Sequence, residues 1–120
     1  MNKMINLQPL RIPTGWNVPY NKFLEIEPND LKEDDSIWLH FTQDILQLKY
    51  RFRKMELLVD LGWYPETEIG GTFRMVVIKY TEWENPLEVF ESRSKKEIVE
   101  RIESILEDIS DWGKYRNLFE

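Results

Sequence analysis

The chain has 120 residues, with five Trp, five Tyr, six Phe and no cysteine. This length predicts one domain over residues 1–120, and the lack of cysteine excludes disulfides, thiolate metal sites and cysteine nucleophiles. The single histidine, His40, excludes multi-histidine metal sites. Acidic residues outnumber basic residues by 22 to 16, and the net charge of −6 argues against binding to duplex nucleic acid.

Two features of the sequence bear on the compartment. Residues 1–7 (MNKMINL) lack the apolar stretch of a signal peptide. The longest aliphatic run, residues 75–78, is far shorter than the roughly 20 residues that a membrane span needs. We therefore expect a cytoplasmic protein that does not contact a membrane.

The first predicted element is a strand over residues 22–27. Apolar and polar residues alternate there, which places Leu24 and Ile26 on the inward side. Pro28 ends this strand, because proline cannot donate a backbone hydrogen bond to a neighbouring strand. A polar loop is expected over residues 29–36.

Further strands are predicted in the middle of the chain. The pattern of residues 37–43 fits either a short strand or a helical turn, and both alternatives stay open. Gly70 and Gly71 form a predicted turn between two apolar segments. The remaining segments alternate or are apolar throughout, which predicts strands over residues 45–52, 55–61, 72–80 and 87–91.

The last predicted element is an amphipathic helix over residues 94–112. It begins with a capping box, residues 94–97 (SKKE), and Gly113 lies where a C-terminal cap is expected. One face of the helix is apolar, formed by Ile98, Val99, Ile102, Ile105, Leu106, Ile109 and Trp112. This order of elements predicts an α+β fold, an antiparallel sheet of about five to six strands with the C-terminal helix packed on one face.

Two groupings of titratable residues are compatible with catalysis. His40 and Asp44 share a helix face if the segment between them is helical, and such a pair can transfer protons. Paired carboxylates near aromatic rings suit glycoside hydrolysis; the carboxylates are Asp34, Asp35, Glu66, Glu68, Glu82 and Glu84, and the aromatics are Trp63, Tyr64 and Trp83. With 22 acidic residues such pairs arise by composition, and no zinc, phosphate-loop or dinucleotide motif is present. We predict no enzyme activity, no catalytic residue, no cofactor and no metal site.

Residues 49–54 (KYRFRK) interleave aromatic and basic side chains. This pattern suits single-stranded nucleic acid, which binds through stacking and charge neutralisation. On an acidic domain the pattern also fits the outward face and tip of a hairpin, where charges prevent edge pairing. We favour the hairpin.

The excess acid lies in the second half of the chain, where residues 61–120 carry eight basic and 13 acidic side chains. The helix side that lies away from the apolar face carries Glu100, Glu103, Glu107 and Asp111, and like charges four residues apart disfavour each other by a few tenths of a kcal/mol. A second acidic set, Glu82, Glu84, Glu88 and Glu91, surrounds the loop before the last strand. Fixed charges of this kind suit docking of a basic protein, with Trp83 as an interface anchor. The predicted partner-binding residues are Glu82, Trp83, Glu84, Glu100, Glu103 and Glu107.

Several local patterns are typical of a known class of small proteins. They are residues 20–23 (YNKF), 60–66 (DLGWYPE), 71–74 (GTFR) and 86–87 (PL). Together with the acidic, cysteine-free and Trp-rich composition, they make the chain resemble the immunity proteins of bacterial polymorphic toxin systems. The resemblance implies a stoichiometric inhibitor of a toxin domain, such as a basic nuclease, with acidic patches that mimic the charge of the toxin's substrate.

The alternative function is that of a small carboxylate-dependent enzyme or ligand-binding domain with an aromatic-lined cleft. A deep pocket with convergent carboxylates favours this alternative, whereas a flat or convex acidic surface favours the inhibitor.

Overall fold

A computed structural model describes residues 5–119, which form a five-stranded antiparallel sheet and one α-helix. The strands lie side by side in chain order and are β1 (Trp16–Asn21), β2 (Leu46–Phe52), β3 (Met55–Tyr64), β4 (Thr72–Lys79) and β5 (Glu88–Ser92). The helix, α1 (Lys95–Ser110), contacts β4 and β5. The predicted α+β fold is confirmed. No helix within residues 5–119 is long and apolar enough to cross a membrane.

Three hairpins build the centre of the sheet, as predicted for this part of the chain. β2 pairs with β3, β3 with β4 and β4 with β5, all antiparallel. β3 runs further than predicted, to Tyr64, because it continues to pair with β4 as far as Thr72. Side chains alternate between the two sheet faces, and the register aligns Val59 with Val77 on the face that α1 covers.

The apolar face of α1 packs against the sheet. Its buried residues are Ile98, Ile102, Ile105, Leu106 and Ile109, and Val99 is half-buried. Trp112 does not belong to this face, contrary to the prediction, because its side chain is 78% exposed. The helix ends at Ser110, so the helical spacing that placed Trp112 with the apolar residues no longer applies there.

The N-terminus of α1 is capped by neighbouring residues and by a residue that is distant in the sequence. Ser94 Oγ accepts a hydrogen bond from the Glu97 N–H at 3.2 Å, as predicted for a capping box. The Glu97 carboxylate instead accepts from the Ser92 hydroxyl, which itself accepts from the Ser94 N–H at 3.0 Å. The Glu27 carboxylate accepts from the Lys95 N–H at 2.8 Å. This negative charge stabilises the helix start and ties the N-terminal part of the chain to it.

The first strand lies earlier in the chain than predicted. Residues 22–27 form no strand, and Leu24 makes only an isolated bridge with Leu7. Leu24 and Ile26 are half-buried, whereas Phe23, the residue before Leu24, is 1% exposed. The prediction of residues 22–27 as a strand is therefore wrong.

β1 itself has no alternating pattern that could reveal it. Trp16 is buried but Val18 is 42% exposed, and the strand contains Pro19. The register with β2 also shifts between Asn17 and Tyr20. A bulge of this kind breaks the period of two on which strand prediction depends.

Five buried aromatic rings form a cluster at the end of the sheet where β3 connects to β4. They are Phe23, Trp38, Phe41, Trp63 and Phe73, and each is at most 5% exposed. Neighbouring ring centroids lie 4.9 to 5.9 Å apart, within the range of favourable aromatic pairs. The first three rings come from segments outside the sheet, so the cluster fastens those segments to β3 and β4.

Trp63 is enclosed by the chain that connects β3 to β4. Its Nε1 donates a hydrogen bond to the backbone oxygen of Glu68 at 2.8 Å. A Cβ atom at Gly71 would lie 2.3 Å from that nitrogen, whereas a Cβ at Gly70 would meet nothing within 4 Å. Close packing against Trp63 therefore requires a glycine at position 71 but not at position 70.

Arg93 covers the cluster from outside. Its Cζ lies 5.4 Å from the centre of the Trp63 ring, and its Nη1 donates to the backbone oxygens of Ile69, at 2.7 Å, and Gly71. Its Nε donates to Oδ1 of Asn29 at 3.3 Å. The planar guanidinium therefore joins the β3–β4 connection to the N-terminal half of the chain, which a lysine ammonium could not do with the same geometry.

The two adjacent glycines provide a matched test of this packing. We expect Gly71→Ala to lower the free energy of unfolding by about 1–3 kcal/mol or more, because the new methyl group must displace the Trp63 ring or the backbone. Gly70→Ala is the control and should change stability by less than about 0.5 kcal/mol. Urea denaturation measures both. Equal effects of the two substitutions would contradict the close approach at Gly71.

Candidate functional site

The acidic side of α1 borders an open groove. Its other wall is the segment before β1, whose Arg11 N–H donates a hydrogen bond to Oε2 of Glu103 at 2.7 Å. The groove has a volume of about 580 Å³. We call it the acidic groove; its lining residues are Arg11, Ile12, Pro13, Glu100, Glu103, Ser104, Glu107 and Asp111.

The carboxylates of the acidic groove are not neutralised by ion pairs. Glu100, Glu107 and Asp111 are exposed, and Glu103 is half-buried beside the Arg11 segment. Across residues 5–119, none of these four carboxylates lies in an ion pair, and one basic residue lines the groove. The groove therefore presents a concentrated negative charge to solvent.

Trp112 lies next to the acidic groove in the chain and contacts one of its carboxylates. Its Nε1 donates to Oε1 of Glu107 at 3.4 Å, and its 78% exposure is the largest of the exposed apolar side chains in residues 5–119. Sequence reasoning assigned Trp112 to the core and so missed it as a site residue. The usable signal was Gly113, since a glycine cap indicates that the helix ends close to this position.

The second predicted acidic set divides between the turn that joins β4 to β5, which carries Glu82 and Glu84, and β5 itself, which carries Glu88 and Glu91. Glu82, Trp83 and Glu84 are all exposed, and Trp83 is 49% exposed. None of the three lines the acidic groove. The next acidic residue, Glu88, is held by Lys114 at 3.2 Å and is therefore neutralised. The structure thus groups the three predicted helix residues in one groove and leaves the three turn residues outside it.

The helix face that His40 and Asp44 would share if their segment were helical does not arise. Residues 37–43 contain a helical turn, since a 3-10 helix spans Ser36–His40 and the Asp35 side chain caps it. That helix ends at His40, so Asp44 does not share a helix face with it. Within residues 5–119, no group of three His, Asp or Glu side chains could hold a metal ion.

The paired carboxylates also do not converge on an aromatic cleft. All six are exposed: Asp34, Asp35, Glu66, Glu68, Glu82 and Glu84. Trp63 is fully buried in the aromatic cluster, so it offers no platform to a ligand. The acidic groove lacks aromatic lining residues.

Within residues 5–119, one carboxylate is buried, that of Asp60. It lies in β3 at 6% exposure and accepts a hydrogen bond from Gln47 Nε2 at 2.9 Å. Burial raises the pKa of Asp60 above its ordinary value, the Gln47 hydrogen bond opposes this shift, and the charge of Asp44 adds to it. The acidic groove does not include Asp60, so we assign it no role there.

The raised pKa of Asp60 predicts a pH dependence of stability. The folded protein holds the proton more tightly than the unfolded chain, so this residue stabilises the fold below its ordinary pKa of 3.8. That contribution is lost as the pH rises through the raised pKa. Asp60→Asn keeps an oxygen acceptor for Gln47 and carries no charge, so its stability relative to the native chain should increase from pH 3.5 to about pH 7.

Denaturant unfolding of both proteins across this pH range measures the difference, and other titrating groups cancel in the comparison. Asp34→Asn, at an exposed position, is the matched control and should show no such increase. A difference between Asp60→Asn and the native chain that is constant with pH would contradict the shift.

No family model, curated protein or solved structure matches this chain.

Proposed function

We propose that this is a cytoplasmic immunity protein, which neutralises a bacterial toxin domain by stoichiometric binding through the acidic groove. The observation that carries the proposal is a set of four carboxylates, beside an exposed tryptophan, that have no ion-pair partner among residues 5–119. The partner chemistry that fits is a basic protein surface, such as that of a nuclease domain. No residue of the chain is catalytic in this proposal.

Charge and an aromatic anchor have separate roles in such an interface. Fixed carboxylates steer a basic partner toward the groove and select it against acidic proteins. Trp112 supplies apolar area, and tryptophan is enriched among the residues that dominate binding energy. The second exposed tryptophan, Trp83, offers a similar anchor between Glu82 and Glu84.

The acidic groove is neither a deep pocket nor a flat surface, but its exposed carboxylates favour binding over catalysis. Catalytic carboxylates typically lie in sites that exclude water, whereas Glu100, Glu107 and Asp111 are exposed. The enzyme alternative also needs an aromatic-lined cleft, and neither Trp63 nor Trp83 lines the groove. We therefore keep binding as the function.

The function is tested by co-expression with a candidate toxin domain. If the gene lies directly downstream of one for a large secreted protein with a variable C-terminal domain, that domain is the candidate. We expect the chain to rescue growth and to form a one-to-one complex with that domain in a pull-down. Growth arrest with no complex would overturn the proposal.

The surface is tested by charge reversal on the same complex. The double variant Glu100→Lys/Glu107→Lys should slow association at low salt by about tenfold or more, because it removes the steering field. The difference should narrow at high salt, where charges are screened. Surface plasmon resonance at two salt concentrations measures both rates.

The matched control is Glu33→Lys/Asp34→Lys, which changes the net charge equally at exposed positions outside the groove. It should leave the association rate within about threefold of the native value. Equal slowing by both double variants would show that net charge matters and the groove does not.

A further inference from the structure

A second cavity lies between the tip of the β2–β3 hairpin and the 3-10 helix Arg116–Phe119. Its volume is about 460 Å³, which is within the range of small-molecule sites. We call it the basic pocket; its lining residues are Phe52, Arg53, Lys54, Met55, Arg116 and Phe119. Among residues 5–119, half of this lining is cationic, half is apolar and none of it is acidic.

The cationic side chains of the basic pocket form no ion pairs within the part of the chain that the structure describes. Arg53, Lys54 and Arg116 have no carboxylate partner there, whereas Arg51 on the same hairpin pairs with Glu56 at 3.0 Å. The basic pattern of residues 49–54 is thus divided. Part of it makes ion pairs on the sheet, and the hairpin tip faces the pocket.

The guanidinium groups are positioned by an aromatic ring. The Arg116 Cζ lies 4.7 Å from the centre of the Phe52 ring, and the Arg53 Cζ lies 5.3 Å from it. A guanidinium stacked on a ring keeps its N–H groups at the edge, where they can bind a phosphate in a bidentate manner. Phe52 itself remains 38% exposed.

Both walls of the basic pocket are fixed to the end of β4. The Tyr80 hydroxyl donates to the backbone oxygen of Lys54 at 2.7 Å, and the Lys79 ammonium donates to that of Leu118 at 3.1 Å. The Tyr80 ring also meets the Phe119 ring, with centroids 5.3 Å apart. These contacts hold the hairpin tip and the C-terminal segment in place, so a ligand meets a preformed site.

We propose that the basic pocket binds a phosphorylated nucleoside, either as a free nucleotide or as one unit of a single-stranded nucleic acid. The phosphate accepts hydrogen bonds from the three cations, and the planar base packs on the exposed parts of Phe52 and Phe119. A simple anion would satisfy the charges and leave this apolar half of the lining unused. The inference is independent of the proposed immunity function, because it concerns different residues.

The pocket is tested by isothermal titration calorimetry of the full chain at constant ionic strength. The probes are adenosine monophosphate, adenosine, inorganic phosphate and an oligothymidylate strand. We expect the monophosphate to bind more tightly than adenosine or phosphate alone. Tighter binding of the strand than of the monophosphate assigns the pocket to single strands, and the reverse assigns it to free nucleotides.

Three variants locate the binding. Arg116→Gln and Lys54→Gln should each weaken binding of the monophosphate by about tenfold, through loss of charge-assisted hydrogen bonds. Arg51→Gln, which removes the same charge outside the lining, should leave the affinity within about twofold. Thermal melting of each variant checks that it is folded. If one pocket variant does not fold, the other still provides the comparison with Arg51→Gln.

Two results would overturn the proposal. One is the absence of monophosphate binding, or equal affinity for phosphate and the monophosphate, which indicates an anion site without base recognition. The other is an equal loss of affinity in Arg51→Gln and the two pocket variants, which indicates general electrostatic attraction.

Discussion

The packing around Trp63 sets the arrangement of the segments that surround the sheet. Its ring is fully buried against three other aromatic rings, its nitrogen is bonded to the Glu68 backbone, and Gly71 leaves room for it. Arg93 then covers the ring and bonds the adjoining connection. Buried aromatic side chains of this kind typically cost about 3–5 kcal/mol when truncated, so the fold tolerates little change here.

This core determines how the N-terminal part of the chain reaches the helix. Phe23 anchors it in the aromatic cluster, and Glu27 caps the start of α1. The preceding segment then lies along α1, where Arg11 bonds Glu103 and forms the second wall of the acidic groove. The groove is therefore a consequence of two chain segments that the core holds in place.

Local periodicity accounts for what could be predicted. The central strands and α1 carry strong period-two and helical patterns, and the Ser94 cap has a local signal of its own. β1 carries no such pattern, because Pro19 and a bulge interrupt it. Trp112 was placed in the core because the helix was extended past Ser110, where it ends.

Long-range contacts account for most of the rest. The acidic residues of α1 were predicted on one side by spacing alone, but their opposing wall is some ninety residues earlier in the chain, as the Arg11–Glu103 bond shows. The burial of Asp60 likewise depends on the neighbouring strands, because Gln47 of β2 and Val76 of β4 lie opposite it in the sheet. Patterns within one segment contain no information on which distant segment packs against it.

Hydrogen exchange of the five tryptophan indole N–H groups, followed by NMR, tests the central claim most directly. The account predicts that the Trp63 indole exchanges only through global unfolding, since it is fully buried and bonded to Glu68. The Trp83 and Trp112 indoles should exchange fastest, because both side chains are exposed. Exchange of Trp63 as fast as that of Trp112 would contradict the buried cluster.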